Sequence, residues 1–277
     1  MPLYNKEKFV AEAIQSVLNQ TFRDIQLVVV DDKSTDNSLS IARQFNDERI
    51  LILSNEKNKG VSFTCNRGVR ESQGEYIAFL AADDLYDSRK IEKQMEVVRR
   101  YPDDVVYANF VELNLDGTPT GRERRLTEEG FVFPQLLCGE FRMIVYDSMM
   151  FRKKTFIDVG GFDENLRYAQ DYDLALRLAA VANFRVLEER LHLFRVVPDS
   201  LSRSDRVSSR SRHKVQLHII ESAYERHKAL LNKDELHLAR INIAHHLIMC
   251  RSYKDAFVRT VRDPTMLQAF IYCLKTW

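Results

Sequence analysis

The sequence is short of the residues that punctuate or staple a chain. Its 277 residues include 9 Gly and 6 Pro, too few for a collagen-like or linker-rich architecture. Its 4 cysteines (Cys65, Cys138, Cys250 and Cys273) lie far apart with no C-x-x-C pair, which excludes a dense disulfide framework and the usual zinc ligand sets. No apolar run approaches the ~20 residues of a membrane span, and no apolar stretch at the N-terminus reads as a secretion signal. These absences predict a soluble, cytoplasmic chain. An excess of one charge is lacking too: 41 Lys and Arg against 40 Asp and Glu leave a formal +1, so nucleic acid is not an expected partner. What is present is 45% hydrophobic residues with 10% aromatics, enough apolar material for a core and too much for a disordered chain.

The first hundred residues alternate helical and strand patterns. Phe9, Val10, Ala13, Ile14, Val17 and Leu18 share one helical stripe. Residues 25–30 form a short β-branched run that stops at Asp31-Asp32, as a parallel strand buried on both faces does. Residues 36–46 read as helix and residues 50–53 as strand. A break at Asn58-Lys59-Gly60 opens a helix of about a dozen residues. Residues 76–80 form a further strand, ending at Ala81-Ala82-Asp83-Asp84, and Ser88 caps the helix of Ile91, Met95 and Val98. The alternation predicts a mostly parallel α/β sheet with right-handed crossovers. Beyond residue 105 a hairpin is signalled by Asp116-Gly117, and residues 171–182 read as helix. The stretch 201–214, with five Ser and five Lys or Arg, reads as an exposed loop. Helical patterns alone continue from 214, where Leu217, Ile220, Ala223 and Tyr224 form one stripe.

Ligands of a parallel α/β sheet sit beyond the carboxyl ends of its strands. Two carboxylate pairs fall at such ends, Asp31-Asp32 and Asp83-Asp84. There a carboxylate can accept hydrogen bonds from a base or ribose, or hold a hard divalent cation against a diphosphate. A lone Asp after a strand is as often a helix cap or Asx-turn; two pairs tilt the balance toward a site. A third acidic cluster, Gly160-Gly161-Phe162-Asp163-Glu164 followed by Gln170-Asp171-Tyr172-Asp173, places Asp171 where it can cap a helix or act as a general base. The histidines (His192, His213, His218, His227, His237 and the pair His245-His246) show no ligand spacing and read as surface or helix residues.

Several segments stand in a characteristic order. They are Pro2-Leu3-Tyr4-Asn5, Ser16 to Phe22, Val29 to Asp36, Asn58 to Ser62, Gly74 to Ile77, Ala82-Asp83-Asp84, Gly160 to Asp163, Gln170 to Leu174 and Arg195 to Ser202. Over residues 1 to about 203 the chain thereby resembles the family 2 glycosyltransferases, a large bacterial group with a GT-A fold. The resemblance implies an inverting transfer from a nucleoside-diphosphate sugar, a UDP-sugar foremost, to an acceptor hydroxyl on a glycan or lipid-linked acceptor in surface polysaccharide synthesis. It also implies roles: Pro2 and Tyr4 border the base, Asp32 hydrogen-bonds it, and Asn66 and Asp83 serve the donor side. Asp84 would hold Mg²⁺ or Mn²⁺, and Asp171 would be the catalytic base. The division it implies is 1–104 for the nucleotide, 105–203 for the acceptor, and 204–277 for a basic loop and C-terminal helices.

The chain departs from that family in four places. The hydrophobic strand that relatives carry before Pro-x-Tyr-Asn is expected to be missing here, leaving neighbouring ladder groups unpaired; an upstream start is favoured over a true truncation. Ala81 stands where a first acid is frequent, Thr64-Cys65 replaces a common Arg, and Val197 replaces a His. These losses motivate an alternative, a non-catalytic sugar-nucleotide-binding or scaffold protein. A phosphoacceptor receiver domain is a third reading, disfavoured because such domains are about half this length and leave the 160–173 cluster unused. Arg203, Arg206, Arg210, Arg212 and Lys214 suggest a lid or a contact with a membrane surface. Ala269 to Trp277 is too short to span one.

Overall fold

The computed structural model describes residues 1–139, 146–197, 209–249 and Met266. In the first part, strand and helix alternate as the sequence patterns require: β1 (Pro2–Leu3), α1 (Val10–Leu18), β2 (Leu27–Asp31), α2 (Ser38–Ala42), β3 (Ile50–Ser54), α3 (Val61–Glu71) and β4 (Tyr76–Ala78). In α1 the residues Val10, Ala13, Ile14, Val17 and Leu18 are all buried. Their spacing of three and four puts them on one face, and each large apolar side chain so buried contributes ~1.5–3 kcal/mol. Strand β2 is buried at every position, because helices cover both of its faces. Gly60 sits at φ +89° immediately before α3, a conformation that side chains disfavour.

The second part continues with β5 (Leu85–Tyr86), α4 (Lys90–Val98), β6 (Val105–Leu113), β7 (Pro119–Arg124), α5 (Phe133–Cys138), β8 (Met149–Arg152), α6 (Lys153–Asp158) and α7 (Gln170–Ala179). Strand β9 (Phe184–Arg195) then leads toward two long helices, α8 (Ser209–His227) and α9 (Lys233–Met249). Strands β1, β2 and β3 form one parallel sheet, in that order. A second, mixed sheet runs β4-β8-β6-β9-β5, with β7 paired to β6; within it β6 and β9 are parallel and the other pairs antiparallel. The hairpin expected at Asp116-Gly117 joins β6 to β7, with Gly117 at φ +85°. Helices α5, α7, α8 and α9 pack over one core cluster, while α1 and α4 pack over the other.

Within the Pro2-Leu3-Tyr4-Asn5 segment itself, Pro2 pairs with Val30 and Leu3 with Asp31, and Leu3 is fully buried. Two expectations are corrected. Residues 209–214 belong to α8 rather than to a loop, since Ser209 onward continues the helical pattern backward. Arg203, Arg206 and the segment 269–277 lie outside the described residues. His192 is neither a surface nor a helix residue; it lies fully buried in β9. Among the described residues no helix is long and apolar enough to cross a membrane.

Candidate active site

The chain leaves β1 and β2 on the same side, so Tyr4 and Asp31-Asp32 emerge together. Asn5 locks the two exits: its backbone N–H donates to Ser34 Oγ (3.1 Å), and its Oδ1 accepts from the Thr35 backbone N–H (2.8 Å). Asn5 itself sits at φ +51°, a left-handed conformation that asparagine tolerates better than most residues. Lys6 continues the bridge, donating its N–H to Ser38 Oγ (2.7 Å) and its ammonium to Asp83 Oδ2 (2.5 Å). A short loop after β1 thus ties the end of β2 to the acidic motif that follows β4.

Asp32 is buried and well used. Its Oδ1 accepts from Asn55 Nδ2 (2.7 Å) and the Lys59 N–H (2.8 Å), and its Oδ2 accepts from the Gly60 N–H (2.8 Å). The carboxylate thereby pins the turn that starts α3. Tyr4 is 44% exposed, leaving a ring face for a planar ligand to stack on. Pro2 is half-buried within the β1–β2 ladder. Asn66 faces elsewhere: its Oδ1 accepts the Phe162 N–H, and its Nδ2 donates to Phe162 O and Glu164 Oε1, each at 2.9 Å. There it borders a cavity of about 590 Å³ with Gly161 and Arg177.

The two acidic neighbours have different surroundings. Asp83 is partly exposed beside Lys6. Asp84 is buried; its Oδ1 accepts the Arg195 N–H (2.8 Å), and its Oδ2 lies 3.2 Å from His192 Nε2. Burial first, then the neighbouring Asp83 charge, raises the Asp84 carboxyl above its ordinary range. Beneath it lie Asp147 and Lys90, both fully enclosed. Burial pushes Asp147 up to about 8 and Lys90 down to about 7, and it pushes His192 down to about 4, so the interior favours neutral forms of all three. The Lys90 ammonium lies 4.0 Å from the centre of the Tyr86 ring and donates to Gln94 Oε1 at 2.8 Å.

Asp171 lies in the first turn of α7, after Ala169 at φ +59°. Burial raises its carboxyl, and the backbone N–H groups of Tyr172 and of Asp171 itself oppose that. Burial holds the Tyr146 phenol up, reinforced by the charges of Asp147, Cys65, Asp84 and Asp171. The structure therefore ties the loop after Tyr4 to the turn after Asp32 and to Asp83, with Asp84 buried beside it. Asn66 faces Phe162 instead, and Asp171 opens α7.

A divalent cation has a fitting donor set. Asp84, Asp147 and His192 each offer a ligand atom within 4.8 Å of the others, and Asp147 Oδ1 and His192 Nδ1 are buried with no hydrogen-bond partner. Two carboxylates and an imidazole suit Mn²⁺, and the carboxylates alone suit Mg²⁺. Sequence reasoning missed Lys6, Asp147 and His192. Lys6 had a signal, standing two residues after Tyr4 in an extended stretch; His192 and Asp147 had none, being distant in sequence from Asp84.

The description "Glycosyl transferase family 2" matches residues 1–160. The chain is similar to a chondroitin synthase of Escherichia coli, 30% identical over 196 residues, covering 67% of this chain and 26% of that protein. It is also similar to an E. coli UDP-Glc:alpha-D-GlcNAc-diphosphoundecaprenol beta-1,3-glucosyltransferase, 36% identical over 114 residues, covering 41% of this chain and 45% of that one. The chain thus spans less than half the length of either relative. Among solved structures, S. aureus TarS 1-349 in complex with UDP-GlcNAc superposes with a TM-score of 0.70 at 20% identity, covering 97% of this chain and 77% of that one. That likeness shows a shared fold.

Proposed function

Because the chain belongs to glycosyl transferase family 2 and has the corresponding GT-A fold, we propose that it transfers a sugar from a nucleoside-diphosphate sugar to an acceptor hydroxyl with inversion. The observation that carries the reading is the loop Tyr4-Asn5-Lys6, which bonds to Ser34 just after Asp31-Asp32 and to Asp83. Residues 1–104 hold the nucleotide in this reading, and residues 105–203 present the acceptor. Tyr4 lies against the base, Asp32 accepts from it, and Asp83 faces the ribose or sugar. Asn66 serves the donor side through the loop it braces at Phe162.

Asp171 takes the proton of the attacking hydroxyl as that oxygen bonds to the anomeric carbon. The bond to the diphosphate breaks on the opposite face. Burial suits Asp171 to this task, because a carboxylate that holds a proton more tightly is a better base. Mg²⁺ or Mn²⁺, held at Asp84 with Asp83 next to it in the chain, would offset the charge that develops on the leaving diphosphate. Lys6 supplies a second positive charge beside it. A UDP-sugar is the favoured donor, since TarS was solved with UDP-GlcNAc and a relative is named for UDP-Glc. The acceptor is a glycan or lipid-linked glycan in surface polysaccharide synthesis, met at the inner face of the cell membrane by peripheral contact.

Thermal unfolding with UDP, GDP, dTDP and CDP, with and without Mn²⁺, tests the donor site. A ligand at ~100 times its dissociation constant adds ~2.7 kcal/mol, a rise of roughly 5 to 10 °C in a chain of this size. A Mn²⁺-dependent rise with UDP is expected. No shift with any nucleotide, in a chain that melts cooperatively, would favour the non-catalytic alternative.

A further inference from the structure

A short turn at 228–230 folds α9 back along α8. About 20 Å from that turn, at ~1.5 Å per helical residue, three histidines meet at the far end of the helical hairpin. His213 of α8 and His246 of α9 face each other with their Nδ1 atoms 3.0 Å apart. The ring of His245 joins them: the ring centres stand 5.1 Å apart for His213 and His246, 5.3 Å for His245 and His246, and 5.9 Å for His213 and His245. His246 is buried, while His213 and His245 are half-buried and leave the cluster reachable from solvent. Ile220 and Ala223 of α8 share a core with Ala239, Ile243 and Ala244 of α9, so packing rather than the histidines themselves sets how closely the two helices approach.

The spacing matches what one tetrahedral metal ion imposes on three imidazoles. Zinc binds an imidazole nitrogen at ~2.0–2.1 Å, and the ring centre lies about 1.1 Å behind that nitrogen, so tetrahedral angles set ring centres about 5.2 Å apart and nitrogens about 3.4 Å apart. Two of the observed separations fall within about 0.1 Å of that value and the third is about 0.7 Å longer. The facing Nδ1 atoms need to part by about 0.4 Å, and the His245 ring needs to turn inward. We propose that His213, His245 and His246 form a binding site for Zn²⁺ or a similar imidazole-preferring ion, with water in the fourth position. Its chemistry is distinct from that of Asp84 and its neighbours, where carboxylate oxygens suit Mg²⁺. Bound there, the ion would tie α8 to α9 across a sequence separation of 33 residues. The clamp would also steady the approach to α7, because the Tyr168 hydroxyl donates to Ser211 O (3.1 Å), two residues from His213. No sequence spacing marks the site: adjacent helical residues point about 100° apart, and the third ligand comes from the other helix. The inference does not depend on the reaction the chain performs.

Calorimetric titration of Zn²⁺ into the full chain without a histidine tag, stripped by a chelator beforehand, tests the site. It is run in about a hundredfold excess of Mg²⁺, which fills carboxylate sites and takes imidazole poorly. A dissociation constant of about 1 µM or tighter is expected. His213→Gln and His245→Gln, chosen because both side chains are only half-buried, should each weaken zinc at least about tenfold. His237→Gln, at an exposed position of α9, should not. Zinc at ~100 times its dissociation constant should raise the melting midpoint of the parent by roughly 5 to 10 °C, and that of His213→Gln by less than half as much. Zinc binding weaker than about 100 µM, or an affinity unchanged in either His213→Gln or His245→Gln, would overturn the proposal and leave His213 and His246 as a hydrogen-bonded pair.

Discussion

Replacing Asn66 by alanine removes three hydrogen bonds that tie α3 to a loop 96 residues further along the chain. Each such bond contributes ~1 kcal/mol net, and a buried backbone group left without a partner costs ~1–3 kcal/mol more. Asn66 is buried, and its loss strands both the N–H and the C=O of Phe162. The expected destabilisation is at least about 5 kcal/mol, or a fall of at least roughly 10 °C in the melting midpoint at 2–4 °C per kcal/mol. Urea unfolding with an unchanged slope is the direct assay. Gly161→Ala should act through the same contact: the added Cβ would stand 2.8 Å from Asn66 Oδ1 and 3.1 Å from Phe156 Cε1, at φ +66°. The double variant should therefore lose less than the sum of the two. A loss below ~1 kcal/mol for Asn66→Ala would refute the bracing argument. UDP affinity of the folded variant should stay within about threefold of the parent; a tenfold loss, worth ~1.4 kcal/mol, would give Asn66 a direct donor contact instead.

Asp171→Asn should lower kcat by about 10² to 10⁴ while UDP-sugar binding is kept, and ordinary turnover would remove the residue from the chemistry. Lys6→Ala breaks a partly exposed ion pair worth at most ~1 kcal/mol. It should therefore shift the melting midpoint by only about 3 °C yet tighten Mn²⁺ binding measured by titration; weaker Mn²⁺ binding would make Lys6 a partner of the site rather than a competitor for it.

The parallel strands were legible because each is an apolar run cut short by acids, and α1 because its stripe recurs every three to four residues. The ends of α2 were not: residues 36–46 read as helix, while the structure keeps Ser38–Ala42, since Asp36 is used to accept from Ser38 instead of extending the turn. Strand β9 escaped notice because Glu188, Glu189 and Arg190 interrupt it where it meets solvent and its register slips against β6. That Asp31-Asp32 and Asp83-Asp84 follow strands β2 and β4 was legible from the apolar runs before them. The turning of Asn66 toward Phe162 and the joining of His192 to Asp84 rest on contacts between segments about a hundred residues apart, which no local pattern encodes.

The topology of the second sheet also sets the order in which a growing chain can complete it. Val105 and Phe110 of β6 find their parallel partners in Phe184 and His192, which at ~5–20 residues per second leave the ribosome roughly 4 to 16 s later. Until then β6 offers a buried-type run, Val105 to Phe110, with β7 and β8 available to pair with it but its β9 edge open. The three-stranded β1–β3 unit has no such wait. Synthesis therefore passes through a stage in which a finished parallel unit trails a sticky, half-paired strand, and that interval is when the nascent protein most needs slow growth or a chaperone to keep it from its neighbours.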